Sequence, residues 1–355
     1  MECLYRGEKD QVFEYDATGH HPNSAIALGK LPGEKDWIRT ENVEEWLSGI
    51  SGVGNVYFEF PGKERYPCLP VFHQDSLVFP LKGVSYCSVS EARLAVSKKA
   101  KITLISGYYY RDGLTVLPQY LMKLQGIRDA SDNPALKQLL KLLSNSVIGK
   151  LFQKNVGMDI KEIQRLAAFY QIPEAEVTRL KGIATRKDVV SVGSCWYPEW
   201  YSLILGYARA NISDQAGKHK AIVISSDSFV TDKELESPFT VDGITFKIKA
   251  NGSYVGYRAR FYRVGDKIAH HAVHNYEASK DVLASFSEEA AFKYTAQRVV
   301  HLRESWISKL PFGSRFSRPM SVFLGYDYKR ELMEDGSTKP WKTVEDREAF
   351  LESVK

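Results

Sequence analysis

Residues 133–154 read NPALKQLLKLLSNSVIGKLFQK. Lys137, Lys141 and Asn145 recur at steps of four, so on a helix they share one edge. Leu136, Leu139, Leu140, Leu143, Val147 and Leu151 fall along another edge and supply an apolar stripe. Asp132 or Asn133 can cap this helix, and Pro134 suits its first turn. The stretch therefore predicts a long helix whose polar edge offers lysine ammonium groups and an amide. Such an edge either faces water or meets an anionic ligand.

Outward from this helix the patterning changes period. QVFEYD (11–16) reads as a strand that ends on Asp16. KAIVISSDSFVTD (220–232) has two apolar runs around a small polar tip, which predicts a hairpin with Asp227 at its turn. GNVYFEFPG (54–62), DSLVFPLKG (75–83) and KITLISGYYYR (101–111) predict further strands, and SVSEARLAVSKK (88–99) a short capped helix. Residues 158–182 predict two short helices broken at Pro173, and YPEWYSLILGYARANISDQAG (197–217) one long apolar helix. The last hundred residues predict short strands and a helix around 287–309. Helices and strands interleave irregularly, which predicts an α+β fold rather than repeating βα units.

At 355 residues the chain is long enough for two or three domains, and 44% hydrophobic content allows a substantial core. No apolar run is long enough for a membrane span and the N-terminus lacks a secretory h-region, so a cytoplasmic protein with no membrane partner is expected. The four cysteines, Cys3, Cys68, Cys87 and Cys195, show no ligand spacing, which predicts free thiols and no zinc site. His20–His21 and His270–His271 are adjacent pairs whose rings should point apart. A net charge of +5, with 20 Tyr and 17 Phe, suits nucleic acid without requiring it.

An Asp at a strand end or a turn is ordinarily turn chemistry. Asp16 and Asp227 on adjacent strands could instead hold two divalent ions that clamp the attacking and leaving oxygens of a phosphoryl transfer. Lys137, Lys141 and Asn145 on a nearby helix would then meet the triphosphate.

These residues resemble the motifs of family B DNA polymerases, above all the protein-primed branch of phages and linear plasmids. LKLLSNSVIGK resembles motif B, Lys-x3-Asn-Ser-x-Tyr-Gly, with Lys141, Asn145, Ser146 and Gly149 in place. DATGHHPNS resembles motif A, Asp-x2-Ser-Leu-Tyr-Pro-Ser, with Asp16 and Pro22 in place. ISSDSF resembles motif C, Tyr-x-Asp-Thr-Asp-Ser, with Asp227 and Ser228 in place. YRGEKD (5–10) resembles the linker between exonuclease and polymerase halves, and RARFYRVGDK (258–267) the region that grips the primer strand.

The resemblance implies a right-hand polymerase: an antiparallel palm sheet, helical fingers and a small mixed thumb, with no exonuclease domain. The implied division is palm 1–125, fingers 126–154, an insertion over 155–187, palm 188–254 and thumb 255–355. It implies Asp16 and Asp227 as catalytic metal ligands for two Mg²⁺ or Mn²⁺ ions. Lys141 and Arg128 would hold the triphosphate. Asn145, His21, Ile148 and Gly149 would line the nucleotide pocket. Implied partners are primer–template DNA, dNTPs, and a terminal protein or a separate exonuclease or processivity subunit.

Three positions depart from the family pattern. The first motif C Asp is Ser225, the motif A Tyr is His21 and the motif B Tyr is Ile148. They motivate two alternatives: a weakened or inactive polymerase-like subunit that binds nucleic acid, and a polymerase with relaxed sugar selectivity that makes RNA or mixed primers.

Overall fold

The computed structural model describes residues 2–73, 76–155, 191–192, 195–270, 276–289, 291–300, 305 and 309–354. The expected insertion at 155–187 and its helix pair lie, beyond residue 155, outside the described residues. The chain divides into two compact units. The first comprises Met1–Ile148, Pro198–Ala290 and Leu324–Lys355, and the second Gly149–Tyr197 and Ala291–Phe323.

In chain order the elements are β1 (Glu2–Cys3), β2 (Gly7–Ala17), α1 (His20–Leu28), β3 (Ile38–Thr40), α2 (Val43–Ser48) and β4 (Ser51–Glu59). Then come β5 (Val71–His73), β6 (Ser76–Val78), β7 (Lys82–Ser88), α3 (Val89–Ser97), β8 (Lys101–Tyr110), α4 (Val116–Ala130) and α5 (Pro134–Lys150). After β9 (Lys154–Asn155) and β10 (Ser191–Val192) follow α6 (Pro198–Lys218), β11 (Val223–Ile224), β12 (Ser228–Thr231), β13 (Phe239–Val241), β14 (Ile244–Arg258), β15 (Phe261–Val264) and β16 (Lys267–His270). The remainder is α7 (Tyr276–Val282), β17 (Ala291–Val299), β18 (Arg315–Phe323), β19 (Glu331–Leu332), β20 (Thr338–Lys339) and α8 (Val344–Ser353).

The first unit is built on an eight-stranded antiparallel sheet, ordered β1-β11-β12-β2-β14-β15-β16 with β13 on β14. Alternation along β2 puts Phe13, Tyr15 and Ala17 on one face, where they pack with Ile212 and Ala216 of α6 and with Phe229 and Phe246. Glu14 and Asp16 therefore point to the other face. The C-terminal segment is stitched back onto β1: Arg330 pairs with Glu2 at 3.3 Å, both buried, and the Tyr326 hydroxyl donates to the Cys3 carbonyl at 2.7 Å.

A second sheet in the same unit, β3-β8-β4-β7, is backed by α2 and α3. Gly54 and Gly107 face each other across β4 and β8 and leave a slot for the buried ring of Trp46. A Cβ on Gly54 would stand 2.7 Å from the Trp46 ring, so only glycine fits. Ser88 caps α3 in a full capping box with Glu91, as SVSE predicts. Glu91 also accepts from Arg209 at 2.7 Å, which ties α3 to α6.

The long helix of the opening stretch is present as α5, and Asn133 caps it by accepting from the N–H groups of Ala135 and Leu136 at 2.9 and 3.3 Å. Its apolar stripe is narrower than the sequence suggests. Only Leu140, Ser144 and Ile148 are buried on α5, a single row at steps of four. Leu136, Leu139 and Leu143 remain 37%, 59% and 39% exposed.

The helix expected around 287–309 is not formed over Ala291–Val299, which is strand β17, paired with β18 across nine residues. A long antiparallel partner satisfies the backbone here and overrides a helix assigned from local pattern alone. The hairpin of β11 and β12 and the capped α3 agree with the sequence reading.

Candidate active site

Asp16 sits one residue from the end of β2, opposite Ser228 on β12 and Lys247 on β14. Asp227 occupies the turn just before β12. The Ala17 N–H donates to the Asp227 carbonyl at 2.7 Å, so both carboxylates are anchored at the same end of neighbouring strands. The Ser226 hydroxyl donates to Asp227 Oδ1 at 3.2 Å.

Gly19 lies between β2 and α1 with φ 56°, a left-handed conformation that glycine adopts without strain. It turns the chain from the strand into α1, so His20 and His21 open the helix beside the Asp227 turn. His20 Nδ1 donates to the Ser226 carbonyl at 3.0 Å. Burial, and then the neighbouring His21, push His20 down to about 4, so the ring is neutral. Its Nε2 is buried and unpartnered. The two rings are in tilted contact rather than pointing apart, with centroids 5.7 Å from each other and planes at 43°. His21 is half-buried and lines a pocket of about 180 Å³ with Ile212, Ile224, Ser225 and Ser226.

Lys249 Nζ donates to Asp16 Oδ1. Burial raises the Asp16 carboxyl above its ordinary range, Lys249 pulls it down, and the charge of Asp227 raises it further. Burial also opposes the charge on Lys249, yet Asp16, then Asp227 and Glu14, hold the ammonium above its ordinary value. One step inward on the same strand, Glu14 is fully buried. Its Oε1 accepts from Ser228, Tyr262 and Lys267, while Oε2 has no partner.

Asp16 and Asp227 supply two carboxylates, and among the described residues no group of three or more His, Cys, Asp or Glu forms a metal cluster. Two carboxylates with other positions left open fit Mg²⁺, which keeps waters and takes phosphate oxygens.

The structure thus brings Asp16, Asp227 and His21 together. Arg128 lies on α4, which packs against α1; the Gln125 amide one turn earlier donates to Asn23. Arg128 is paired with Asp129 at 3.0 Å. Lys141, Asn145 and Gly149 are exposed on α5, and Ile148 is 3% exposed. Among the described residues no hydrogen bond or ion pair links Lys141 or Asn145 to Asp16 or Asp227. Sequence reasoning missed Glu14, His20, Lys249 and Lys267. Glu14 was within reach, since strand alternation puts it on the Asp16 face; Lys249 and Lys267 are remote in sequence and carry no local signal.

Residues 3–178 match the family model described as DNA polymerase type B, organellar and viral. The primer-independent DNA polymerase PolB of Escherichia coli is 27% identical over 167 residues, which is 43% of this chain and 19% of that protein. Phi29 DNA polymerase complexed with primer-template DNA and incoming nucleotide substrates shares the fold with a TM-score of 0.59 at 15% identity, over 90% of this chain and 61% of that one. Its orthorhombic crystal form gives a TM-score of 0.51 at 15% identity, over 76% of this chain and 50% of that one. The chain therefore spans about a fifth of the curated relative and 61% of the first of these structures. The shared fold is mixed α/β with a curled antiparallel sheet. Over residues 3–178, just under half of its length, the chain is thus similar to the type B DNA polymerases, organellar and viral.

Proposed function

We propose that this chain is a template-directed DNA polymerase core that adds nucleotides to a primer 3′-hydroxyl. The observation that carries the reading is the joining of Asp16 and Asp227 at one end of β2 and β12 by the Ala17–Asp227 hydrogen bond. In this reading the eight-stranded sheet up to β14 is the palm, the end of α4 with α5 the fingers, and the region from about residue 255, which begins with β15 and β16 at the edge of that sheet, the thumb.

Asp16 and Asp227 would hold two Mg²⁺ or Mn²⁺ ions. When bound, such ions lower the pKa of the attacking hydroxyl and neutralise charge on the phosphate oxygens. Lys141 would supply charge to the triphosphate, and Arg128 would do so once it leaves Asp129. Asn145, Ile148 and Gly149 would border the nascent base pair, and His21 the sugar. Sequence choice would come from base pairing, so DNA would be held mainly through backbone phosphates and weaken with salt. The name of the Escherichia coli relative raises synthesis without a primer as a variant of the same reaction.

Ser225 favours one further reading, a polymerase-like subunit that binds nucleic acid with little catalysis. It lines the pocket beside Ser226, where the family pattern has a third carboxylate.

Extension of a labelled primer–template, with Mg²⁺ or Mn²⁺ and either dNTPs or rNTPs, tests the proposal. Template-directed extension that disappears in Asp227→Ala supports the polymerase. Retained DNA binding with no extension under any condition overturns it in favour of the binding subunit.

A further inference from the structure

We propose that Lys249 is a resident cation for the Asp16–Asp227 pair, which a divalent ion must displace from Asp16 and which therefore weakens the site's affinity for that ion. The proposal rests on the reading of Asp16 and Asp227 as metal ligands.

The register of β14 against β2 sets it up. Lys247 lies opposite Asp16, Ile248 opposite Tyr15 and Ala250 opposite Glu14, with a register shift between Ile248 and Ala250. Lys249 is the extra residue of this bulge and has no partner across the ladder. Bulges release a side chain from the regular alternation and re-aim it. The re-aimed ammonium reaches Asp16 Oδ1, whereas the directly opposed Lys247 makes no ion pair with it among the described residues.

Three carboxylates bear on Lys249: Asp16 by contact, Asp227 and Glu14 by charge. Glu14 already has its own cation in Lys267. Lys249 is thus the cation of the Asp16 end, and without it the charges of Asp16 and Asp227 would oppose each other uncompensated there. The ammonium carries one charge and touches one of the two carboxylates. A divalent ion carries twice that charge and can touch both, so it can win the exchange. The Lys249 side chain is 42% exposed, which leaves it a path into solvent when it is displaced. An ordinary surface ion pair would leave metal affinity unchanged.

The test is Mn²⁺ binding, followed by electron paramagnetic resonance of the free ion, with no DNA or nucleotide present. Wild type, Lys249→Met, Lys249→Arg and Asp16→Asn are titrated side by side. Lys249→Met should bind Mn²⁺ about three- to tenfold more tightly than wild type. Lys249→Arg, which keeps a cation at the bulge, should not bind more tightly than wild type. Thermal unfolding supplies a second readout. Without metal, Lys249→Met should melt below wild type, and added Mn²⁺ should raise its Tm by more than it raises the wild-type Tm. Equal or weaker Mn²⁺ affinity in Lys249→Met, with wild-type binding still lost in Asp16→Asn, overturns the proposal and leaves the metal site standing. Wild-type binding that survives Asp16→Asn overturns the metal-site reading and this proposal with it.

Discussion

The backbone N–H of Ala17 donates to the carbonyl oxygen of Asp227 at 2.7 Å. This bond involves neither carboxylate, yet it holds the two backbone segments that carry them side by side, because Ala17 follows Asp16 and the carbonyl belongs to Asp227. Side-chain changes at either Asp leave it intact. Asp16→Ala and Asp227→Ala should therefore keep the fold and each lower primer extension by about 10³-fold or more, with the double variant little worse than either single one. Circular dichroism melts run beside single-turnover extension check both parts; losses that multiply would show that the two residues do not act as a unit.

Lys141 and Arg128 should behave differently from each other. Lys141 is exposed on α5 and its removal should leave Tm unchanged while raising the dNTP KM about tenfold. Arg128 starts from an ion pair with Asp129 at 3.0 Å, so some of its affinity for phosphate is spent on breaking that pair. Asp129→Asn should consequently lower the dNTP KM by a factor of about two to five, within the range of an exposed pair. Steady-state dNTP titrations of the two variants decide this, and a raised KM in Asp129→Asn would argue that Asp129 positions Arg128 instead.

What the sequence disclosed follows from the range over which each signal acts. Asp16, Asp227 and the capped helix after Asn133 were legible because a strand end, a turn and a cap are each set within a few residues. The burial of that helix was not legible: leucine spacing predicts a face, but a partner decides how much of it is covered, and Leu139 stays 59% exposed. Strand β17 was misread as helix for the same reason, since its partner β18 lies beyond an intervening stretch. Lys249 reaches Asp16 across 233 positions of sequence through a bulge that no local pattern marks.

His21 opens α1 and borders the pocket beside Ser225 and Ser226. An imidazole is smaller than the phenol that the motif A pattern places there and leaves more room beside a nucleotide sugar. His21→Tyr should raise the preference for dNTPs over rNTPs by about tenfold, the scale of one lost or gained pocket contact. Competing extension with matched dNTP and rNTP gives the ratio directly. An unchanged ratio would remove His21 from sugar selection.

His20 gives the structure a defined acid sensitivity. Its ring is 3% exposed, its Nδ1–H is held by the Ser226 carbonyl and its Nε2 has no partner, so the fold accommodates the neutral form. Burial, with His21 adding to it and the Ser226 carbonyl and then Asp227 opposing, lowers its pKa from 6.5 to about 4. The unfolded chain therefore takes up a proton below pH 6.5 that the folded chain refuses until about pH 4. Stability from this group is complete above the higher value and is lost as pH falls through the window, by about 3 kcal/mol in all. His20→Asn retains an amide that can donate to Ser226 but has nothing to titrate. Urea unfolding of both proteins between pH 7 and pH 4 should show wild type losing stability relative to the variant, most steeply below the ordinary histidine range. Asp16 and His21 titrate nearby but are present in both proteins, so the difference isolates His20. Parallel pH profiles would show that His20 is protonated in the fold, and the Ser226 carbonyl would then be balancing a charge rather than holding a neutral ring in place.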